Sequence, residues 1–141
     1  MKALNFDLGL VKFSINDRCE VEFNPTDVGF IDRAFEAFTE LENKQSEYST
    51  ELENATDARV VFEYARARDK EMREIINNLF GKDVSADIFG DMNVYAHANG
   101  FPVWANLICA VIDQFDLSIT EEKAKTTPRM NKYLAKYRRA K

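Results

Sequence analysis

Residues 23–41 read FNPTDVGFIDRAFEAFTEL, and within them the spacing of apolar residues changes from every second position to every third or fourth. Such a change marks the end of a strand and the beginning of a helix. Asn24 is a favourable helix N-cap, Pro25 suits the first helical position, and Asp27 stands where a capping box places its acidic residue. The sequence therefore predicts that the first long helix begins at Asn24-Pro25.

The apolar residues of this predicted helix recur at spacings of three and four, which is typical of a helix with one buried face. The expected buried face consists of Val28, Ile31, Phe35 and Phe38, flanked by Phe30, Ala34, Ala37 and Leu41. Val28 in the first turn and Phe23 before the cap are placed to form a hydrophobic staple. Beyond Glu42 the pattern fades, so we expect this half of the helix to project into solvent or to meet a partner.

Residues 1–23 alternate between apolar and polar, which is typical of strands with one buried face. The alternating apolar residues fall into three sets, Leu4, Phe6 and Leu8, then Val11, Phe13 and Ile15, then Cys19, Val21 and Phe23. Gly9 separates the first two sets, and Asn16-Asp17 supplies turn residues between the last two. The pattern predicts a β-hairpin or a three-stranded meander, which is marginal alone and is expected to pack on helices.

A second helix is predicted from a cap at Asn54 or Thr56 to Phe80, with Gly81 at the C′ position. Its expected buried residues are Val61, Ala65, Met72, Ile75 and Leu79. The two helices are expected to form an antiparallel αα-hairpin with arms of about 35–45 Å. The opposite charges in the middle of the second helix, such as Asp69 and Arg73, are expected to form solvated ion pairs.

A third predicted helix opens at Pro102 and carries an apolar face at helical spacing. That face consists of Trp104, Leu107, Ile108, Val111 and Phe115. No charged residue occurs from Asn93 to Ile112, which raises the question of a membrane span. Because the stretch includes several Asn residues, a Gly and a Pro, we interpret it as a buried core helix and expect no membrane association.

The C-terminal stretch resembles a basic amphipathic helix that starts at Thr127-Pro128. Its apolar residues fall at i, i+3, i+4 and i+7, and they are our candidate partner-binding residues: Met130, Tyr133, Leu134 and Tyr137. Residues 122–141 hold eight Lys and Arg against one Glu, a charge of +7, whereas residues 1–121 hold 11 Lys and Arg against 23 Asp and Glu, a charge of −12. We expect residues 1–121 to form a single domain, with residues 122–141 as a helical appendage.

Residues typical of catalysis or metal binding are sparse in this sequence. Cys19 and Cys109 are far apart and are expected to be reduced and buried, and the single histidine, His97, is expected to be a hydrogen-bonded structural residue. The sequence has no nucleophile elbow, P-loop, dinucleotide-binding, zinc-protease or EF-hand motif. We therefore predict a protein that is not an enzyme and uses no cofactor or metal. The first 13 residues lack the apolar run of a signal peptide, so the expected location is cytoplasmic.

Several segments together resemble a known group of proteins: FNPTD at Phe23–Asp27, EMREIINNLFG at Glu71–Gly81, FGDMNVYA at Phe89–Ala96 and GFPVWANLICAVID at Gly100–Asp113. The Pro, Arg, Lys and Tyr pattern at Pro128–Tyr137 extends the likeness to the C-terminal helix. The chain resembles small proteins encoded in the tail-gene region of siphophages and prophages of Gram-positive bacteria, which are usually taken to be tail assembly chaperones.

The resemblance implies a non-enzymatic, oligomeric factor that coats the tape measure protein in the host cytoplasm before tail tube subunits polymerise around it. It implies the tape measure protein as the main partner, with the tail tube protein as a further candidate. Two alternatives remain at this point: a structural tail or head-completion protein that stays in the virion, and a small prophage regulator that binds nucleic acid. The acidic body disfavours the regulator, because DNA-binding domains are usually basic.

Overall fold

The computed structural model describes the backbone of residues 1–139 and the side chains of residues 1–125, 132 and 135. Its elements in chain order are β1 (Val11–Ile15), β2 (Cys19–Phe23), α1 (Val28–Asn54), α2 (Ala58–Phe80), α3 (Ser85–Phe89), β3 (His97–Ala98), β4 (Phe101–Pro102) and α4 (Val103–Arg139). The order confirms the predicted mostly helical α+β fold, in which an N-terminal β-hairpin packs on helices that include a long αα-hairpin.

The N-terminal sheet is a two-stranded hairpin rather than a meander. β1 and β2 pair antiparallel, with Val11 opposite Phe23 at the open end. Asn16 and Asp17 have φ angles of 51° and 58°, and the Arg18 amide donates to the Ile15 carbonyl at 2.9 Å. Positive φ at both central residues is the conformation of a type I′ turn, whose twist matches that of the strands. Residues 1–10 lie outside the strands.

Helix α1 begins three residues later than predicted. Its N-cap is Asp27, whose carboxylate accepts from the Gly29 amide at 2.9 Å. Asn24 folds a turn instead: its Oδ1 accepts from both the amide and the hydroxyl of Thr26 at 2.8 Å, and its carbonyl accepts from the Asp27 amide at 3.1 Å. The predicted start at Asn24-Pro25 is wrong because both Asn24 and Asp27 can cap, and the turn uses Asn24.

The buried face of α1 is also rotated from the predicted one. Val28 is 75% exposed and Phe35 is 52% exposed, so the staple between Phe23 and Val28 does not form. Phe23 stacks instead on Phe30, with ring centroids 4.4 Å apart. The buried residues are those that the sequence placed on the flank: Phe30, Ala34, Ala37 and Leu41.

Helix α2 ends where the sequence predicted and begins slightly later. Asp57 is the N-cap and accepts from the Arg59 amide at 3.0 Å, whereas Asn54 and Thr56 were the predicted caps. Gly81 has φ of 71° at the C-terminus, as its predicted C′ position requires. The buried residues are Met72, Ile76 and Leu79. At 27 and 23 residues, α1 and α2 are about 40 and 35 Å long, in agreement with the predicted arms.

The core lies where the hairpin, α1, α2, α3 and the first half of α4 meet. Trp104 is 3% exposed and donates from its indole nitrogen to Gln45 Oε1 at 2.6 Å. This confirms the prediction that Trp104 belongs to the core. At the hairpin end, Phe23 stacks on Phe13 at 4.5 Å and meets the edge of Phe115 at 6.4 Å, so strand and helix share one aromatic cluster.

Asp69 and Arg73 do not form the solvated pair that the sequence predicted. Their side chains bond at 2.9 Å while largely buried, and Arg73 also donates to the carbonyls of Gly90 at 2.8 Å and Met92 at 2.7 Å. Asp69 accepts from the Val94 amide at 2.8 Å. The pair therefore holds the segment between α3 and β3 against α2, and it satisfies backbone groups that this irregular segment would otherwise leave unpaired.

Helix α4 is continuous from Val103 to Arg139, about 55 Å, so no separate helix starts at Thr127-Pro128. Among the side chains of α4 that are described, the buried ones lie near its start: Trp104, Ala105, Leu107, Ile108, Val111 and Phe115. Within the described part of the chain, Val103–Lys125 is the one helical stretch whose length and composition would also allow it to cross a membrane. In this fold, 28% of its most apolar window is buried.

Candidate functional site

The four candidate partner-binding residues lie on the last third of α4. The side chains of Met130, Tyr133, Leu134 and Tyr137 lie outside the described residues. The nearby side chains of Lys132 and Ala135 are exposed, as is every residue from 121 to 125. The described part of α4 therefore leaves the core after Phe115, and its side chains from 120 to 125 are exposed before the candidate residues begin.

A cluster of charges joins the middle of α1 to the middle of α2. Arg68 donates to Glu51 and to Glu71, each at 2.7 Å, and Lys44 lies 3.2 Å from Glu71. Burial opposes ionisation of Glu71 more than any other single effect, but the hydrogen bonds and charges of Arg68 and Lys44 together outweigh it and lower the pKa of Glu71. The cluster fixes the pairing of α1 with α2, so we assign it a structural role.

Tyr95 lies beside this cluster and stacks on Tyr48, with ring centroids 4.4 Å apart. Its hydroxyl is buried and has no hydrogen-bond partner among the described residues. Burial raises the pKa of Tyr95, because a poorly solvated site disfavours the phenolate. A neutral phenol stacked on a second phenol is a packing contact. Neither hydroxyl makes a hydrogen bond to Glu71 or Arg68 among the described residues, so no proton transfer between them is indicated.

The residues that most often carry chemistry are dispersed in this fold. His97, which the sequence predicted to be a hydrogen-bonded structural residue, is exposed on β3. Cys109 is exposed on α4, contrary to the prediction that both cysteines are buried. Cys19 is half-buried on β2, and burial raises the pKa of its thiol. Among the described residues, no group of three or more His, Cys, Asp or Glu side chains could hold a metal ion.

One cavity of about 540 Å³ opens on the surface between the hairpin, α3 and the first half of α4. We call it the apolar groove, and its main apolar lining consists of Phe13, Ile15, Ile88, Val103, Leu107 and Val111. Among the described residues that line it, Arg18 is the one charged side chain. Sequence reasoning missed the groove because it is assembled from elements that are about 90 residues apart in the chain.

The second unpredicted surface is the N-terminal arm, residues 1–10. The sequence placed Leu4, Phe6 and Leu8 on the buried side of a strand, but in the structure these side chains are 92%, 79% and 60% exposed. The arm is anchored at its base, where Asn24 Nδ2 donates to the Leu8 carbonyl at 2.8 Å. Several apolar side chains left uncovered on one short segment are typical of a surface that contacts another molecule.

Comparison with known proteins gives one match. Residues 17–141 match a family described as "Family of unknown function (DUF6673)". No curated protein and no solved structure matches the chain. The family match covers all of α1, α2, α3 and α4, and it therefore includes the αα-hairpin, the groove wall formed by α4 and the candidate partner-binding residues. Because the match extends over most of its length, the chain belongs to this family of unknown function, DUF6673.

Proposed function

We propose that this protein is a non-enzymatic chaperone of phage tail assembly, which binds the tape measure protein as a homo-oligomer in the cytoplasm of the host bacterium. The proposal starts from the resemblance of several segments to tail assembly chaperones of siphophages and prophages. The tape measure protein is the proposed main partner, and the tail tube protein is a further candidate.

The single observation that carries the proposal is the length of α4 beyond the core. Among the side chains of α4 that the structure describes, the last buried one is Phe115, and the helical backbone continues for about 36 Å to Arg139. This segment carries most of the +7 charge of the C-terminal region, together with the apolar row Met130, Tyr133, Leu134 and Tyr137. An amphipathic helix that projects from a body is suited to pairing with a helical partner through residues at i, i+3, i+4 and i+7.

The task of such a chaperone explains why a weak but repeated contact is sufficient. A tape measure protein is long and helical, so many copies of a small chaperone can bind along it at once. Oligomers raise the effective concentration of each further contact, and the total affinity then exceeds that of one helix pair by orders of magnitude. A modest contact per copy also allows the chaperone to be displaced when tube subunits polymerise.

The test is a double substitution in the apolar row, Tyr133→Ala with Tyr137→Ala. If the row binds the partner, the variant keeps the thermal stability of the unmodified protein but co-purifies less tape measure protein of the same phage or prophage. Lys132→Ala is the matched control, because this residue is exposed and lies off the apolar row. It is expected to leave both stability and co-purification nearly unchanged.

Other outcomes contradict the proposal. If the double variant loses several kcal/mol of stability, the row completes the core and does not serve a partner. Full capture of the tape measure protein by a stable double variant would remove the row from the mechanism. Failure of the intact protein to bind any tape measure fragment would exclude the function, and its presence in purified virions would favour a structural tail or head-completion protein instead.

A further inference from the structure

The apolar groove is an open, largely apolar cavity of about 540 Å³ on the body of the protein. Its helical wall follows the first half of α4 from Val103 to Gln114, a length of about 17 Å. The opposite wall is formed by the hairpin and α3, with side chains such as Phe13 and Ile88. Cavities of this size with mainly apolar walls are typical of sites that bind a ligand or a partner.

The surroundings of the groove are acidic. Among the described residues that line it or adjoin a lining residue in the chain, six are acidic and two are basic, a net charge of −4: Asp17, Glu20, Glu22, Asp87, Asp91 and Asp113 against Lys12 and Arg18. All eight are exposed. Adjacent residues lie about 3.8 Å apart at their Cα atoms, so these charges lie close to the cavity. The groove therefore favours an apolar occupant that also carries positive charge.

Residues 126–141, which we call the basic segment, have both of these properties. The segment holds six Lys and Arg and no Asp or Glu. Its apolar row, Met130, Tyr133, Leu134 and Tyr137, spans about 11 Å of helix, which is shorter than the helical wall of the groove. Arg18 opposes the approach of the segment, but it is outnumbered by the six acids around the groove.

The basic segment cannot reach the groove of its own chain. Helix α4 is continuous from Val103 to Arg139, and Met130 lies about 24 Å beyond Gln114 along the helix axis. A continuous helix cannot return to a surface that its own first half forms. An apolar row that leaves the body in this way is accessible to the groove of another copy.

We propose that the apolar row of the basic segment of one copy docks in the apolar groove of the next copy. The row and the groove are different surfaces, so each copy gives its segment to one neighbour and receives the segment of another. Such a head-to-tail contact produces rings or open chains rather than a closed two-fold dimer. The proposed tape measure contact uses the same row, so each copy makes one contact or the other at a time; this point alone rests on the proposed function.

The first experiment removes charge around the groove and measures self-association by sedimentation at about 0.01 M ionic strength, where charges act over about 30 Å. The groove variant is Asp87→Asn with Asp91→Asn and Asp113→Asn. The matched control is Asp32→Asn with Glu36→Gln and Glu40→Gln, which changes the charge equally at exposed positions of α1 away from the groove lining. We expect the groove variant to raise the apparent dissociation constant about tenfold or more, and the control to raise it much less. Equal weakening by both variants would show a diffuse attraction to the body and overturn the proposal.

The second experiment fills the groove with Ala110→Trp, which places a large ring at an exposed groove-lining position. Cys109→Trp is its matched control, because the same ring then lies at the next exposed position of α4, outside the described groove lining. We expect Ala110→Trp to keep the circular dichroism and thermal midpoint of the unmodified protein but to be monomeric, and Cys109→Trp to assemble normally. A folded Ala110→Trp variant that assembles like the unmodified protein would overturn the proposal.

Mixing two variants tests the direction of the contact. Tyr133→Ala with Tyr137→Ala keeps the groove and loses the row, whereas Ala110→Trp keeps the row and loses the groove. Each is expected to be monomeric alone, and the mixture is expected to form a dimer and nothing larger, because one intact row meets one intact groove. A mixture that remains monomeric would contradict the docking.

Photo-crosslinking identifies the occupant of the groove, with a benzoyl-phenylalanine at position 134. In a mixture of ¹⁵N-labelled and unlabelled protein, we expect crosslinked pairs of mixed mass, attached at groove residues such as Leu107 or Met92. Crosslinks confined to single chains, or attached outside the groove, would overturn the proposal. All of these measurements use the purified protein alone, so their failure is distinguishable from a failure to bind the tape measure protein.

Discussion

At the scale of single residues, Trp104 shows how an apolar ring with one polar atom is accommodated in this core. The indole is 3% exposed, Phe38 meets it edge-on at 5.3 Å, and its nitrogen donates to Gln45 at 2.6 Å. Gln45 lies on the half of α1 that the sequence assigned to solvent or to a partner. The bond therefore holds α1 against α4 at a point beyond the main apolar face of α1.

We predict that Trp104→Ala lowers the free energy of unfolding by about 3–5 kcal/mol, because it removes a large buried side chain and leaves a cavity. Trp104→Phe keeps most of the ring contact but loses the bond to Gln45, so it is expected to cost less. Chemical denaturation measures both effects. In the unmodified protein, Trp fluorescence should be blue-shifted and poorly quenched, and a red-shifted, freely quenched emission would contradict the placement.

At the scale of elements, the turn Asn24–Asp27 decides how the hairpin is joined to α1. Asn24 is half-buried and makes bonds in two directions: its oxygen accepts from Thr26, and its nitrogen donates to the Leu8 carbonyl. One side chain thereby links the N-terminal arm, the end of β2 and the beginning of α1. Its role is larger than that of the N-cap that the sequence predicted.

For this turn we predict that Asn24→Ala lowers the free energy of unfolding by about 1 kcal/mol, since the backbone groups that it satisfies lose their partner. Asn24→Asp distinguishes the contributions of the two sets of bonds, because it keeps the acceptor for Thr26 and loses the donor to the Leu8 carbonyl. It should retain more stability than Asn24→Ala. A denaturation midpoint that is unchanged in Asn24→Ala would show that neither set of bonds contributes.

At the scale of the whole molecule, opposite net charges are concentrated in two consecutive parts of the chain. Residues 1–121 carry −12 and residues 122–141 carry +7, and the described residues of the second group are exposed. Opposite charges on separate surfaces of one chain favour head-to-tail contacts between copies, and such contacts weaken as salt screens them.

We predict that light scattering at low salt detects assemblies larger than a monomer, and that high salt reduces them. A chain ending at Ile119 keeps the residues of α4 that the structure describes as buried and lacks the basic region, so its assembly should not change with salt. A strictly monomeric protein at tens of micromolar would contradict self-association. Large assemblies that are equally stable at low and high salt would contradict only the electrostatic contact.

The sequence by itself determined the type and order of the main elements. The period-two pattern and Asn16-Asp17 predicted the hairpin, the spacing of three and four predicted α1 and α2, and Gly81 marked the end of α2 correctly. Trp104 was placed in the core on the same grounds. These features depend on residues within a few positions of each other, so local periodicity and turn chemistry are sufficient to find them.

The tertiary structure alone decided which of several locally acceptable choices is used. Both Asn24 and Asp27 could cap α1, and either face of its apolar stripe could turn inward. The choice of face is made by packing, in which Phe30 stacks on Phe23 and meets Phe115 edge-on. Arg73 donates to the carbonyls of Gly90 and Met92 only because the segment after α3 packs back against α2. The apolar groove and the uncovered arm depend in the same way on packing between distant segments, because burial is a property of the assembled surfaces and not of neighbours in the chain.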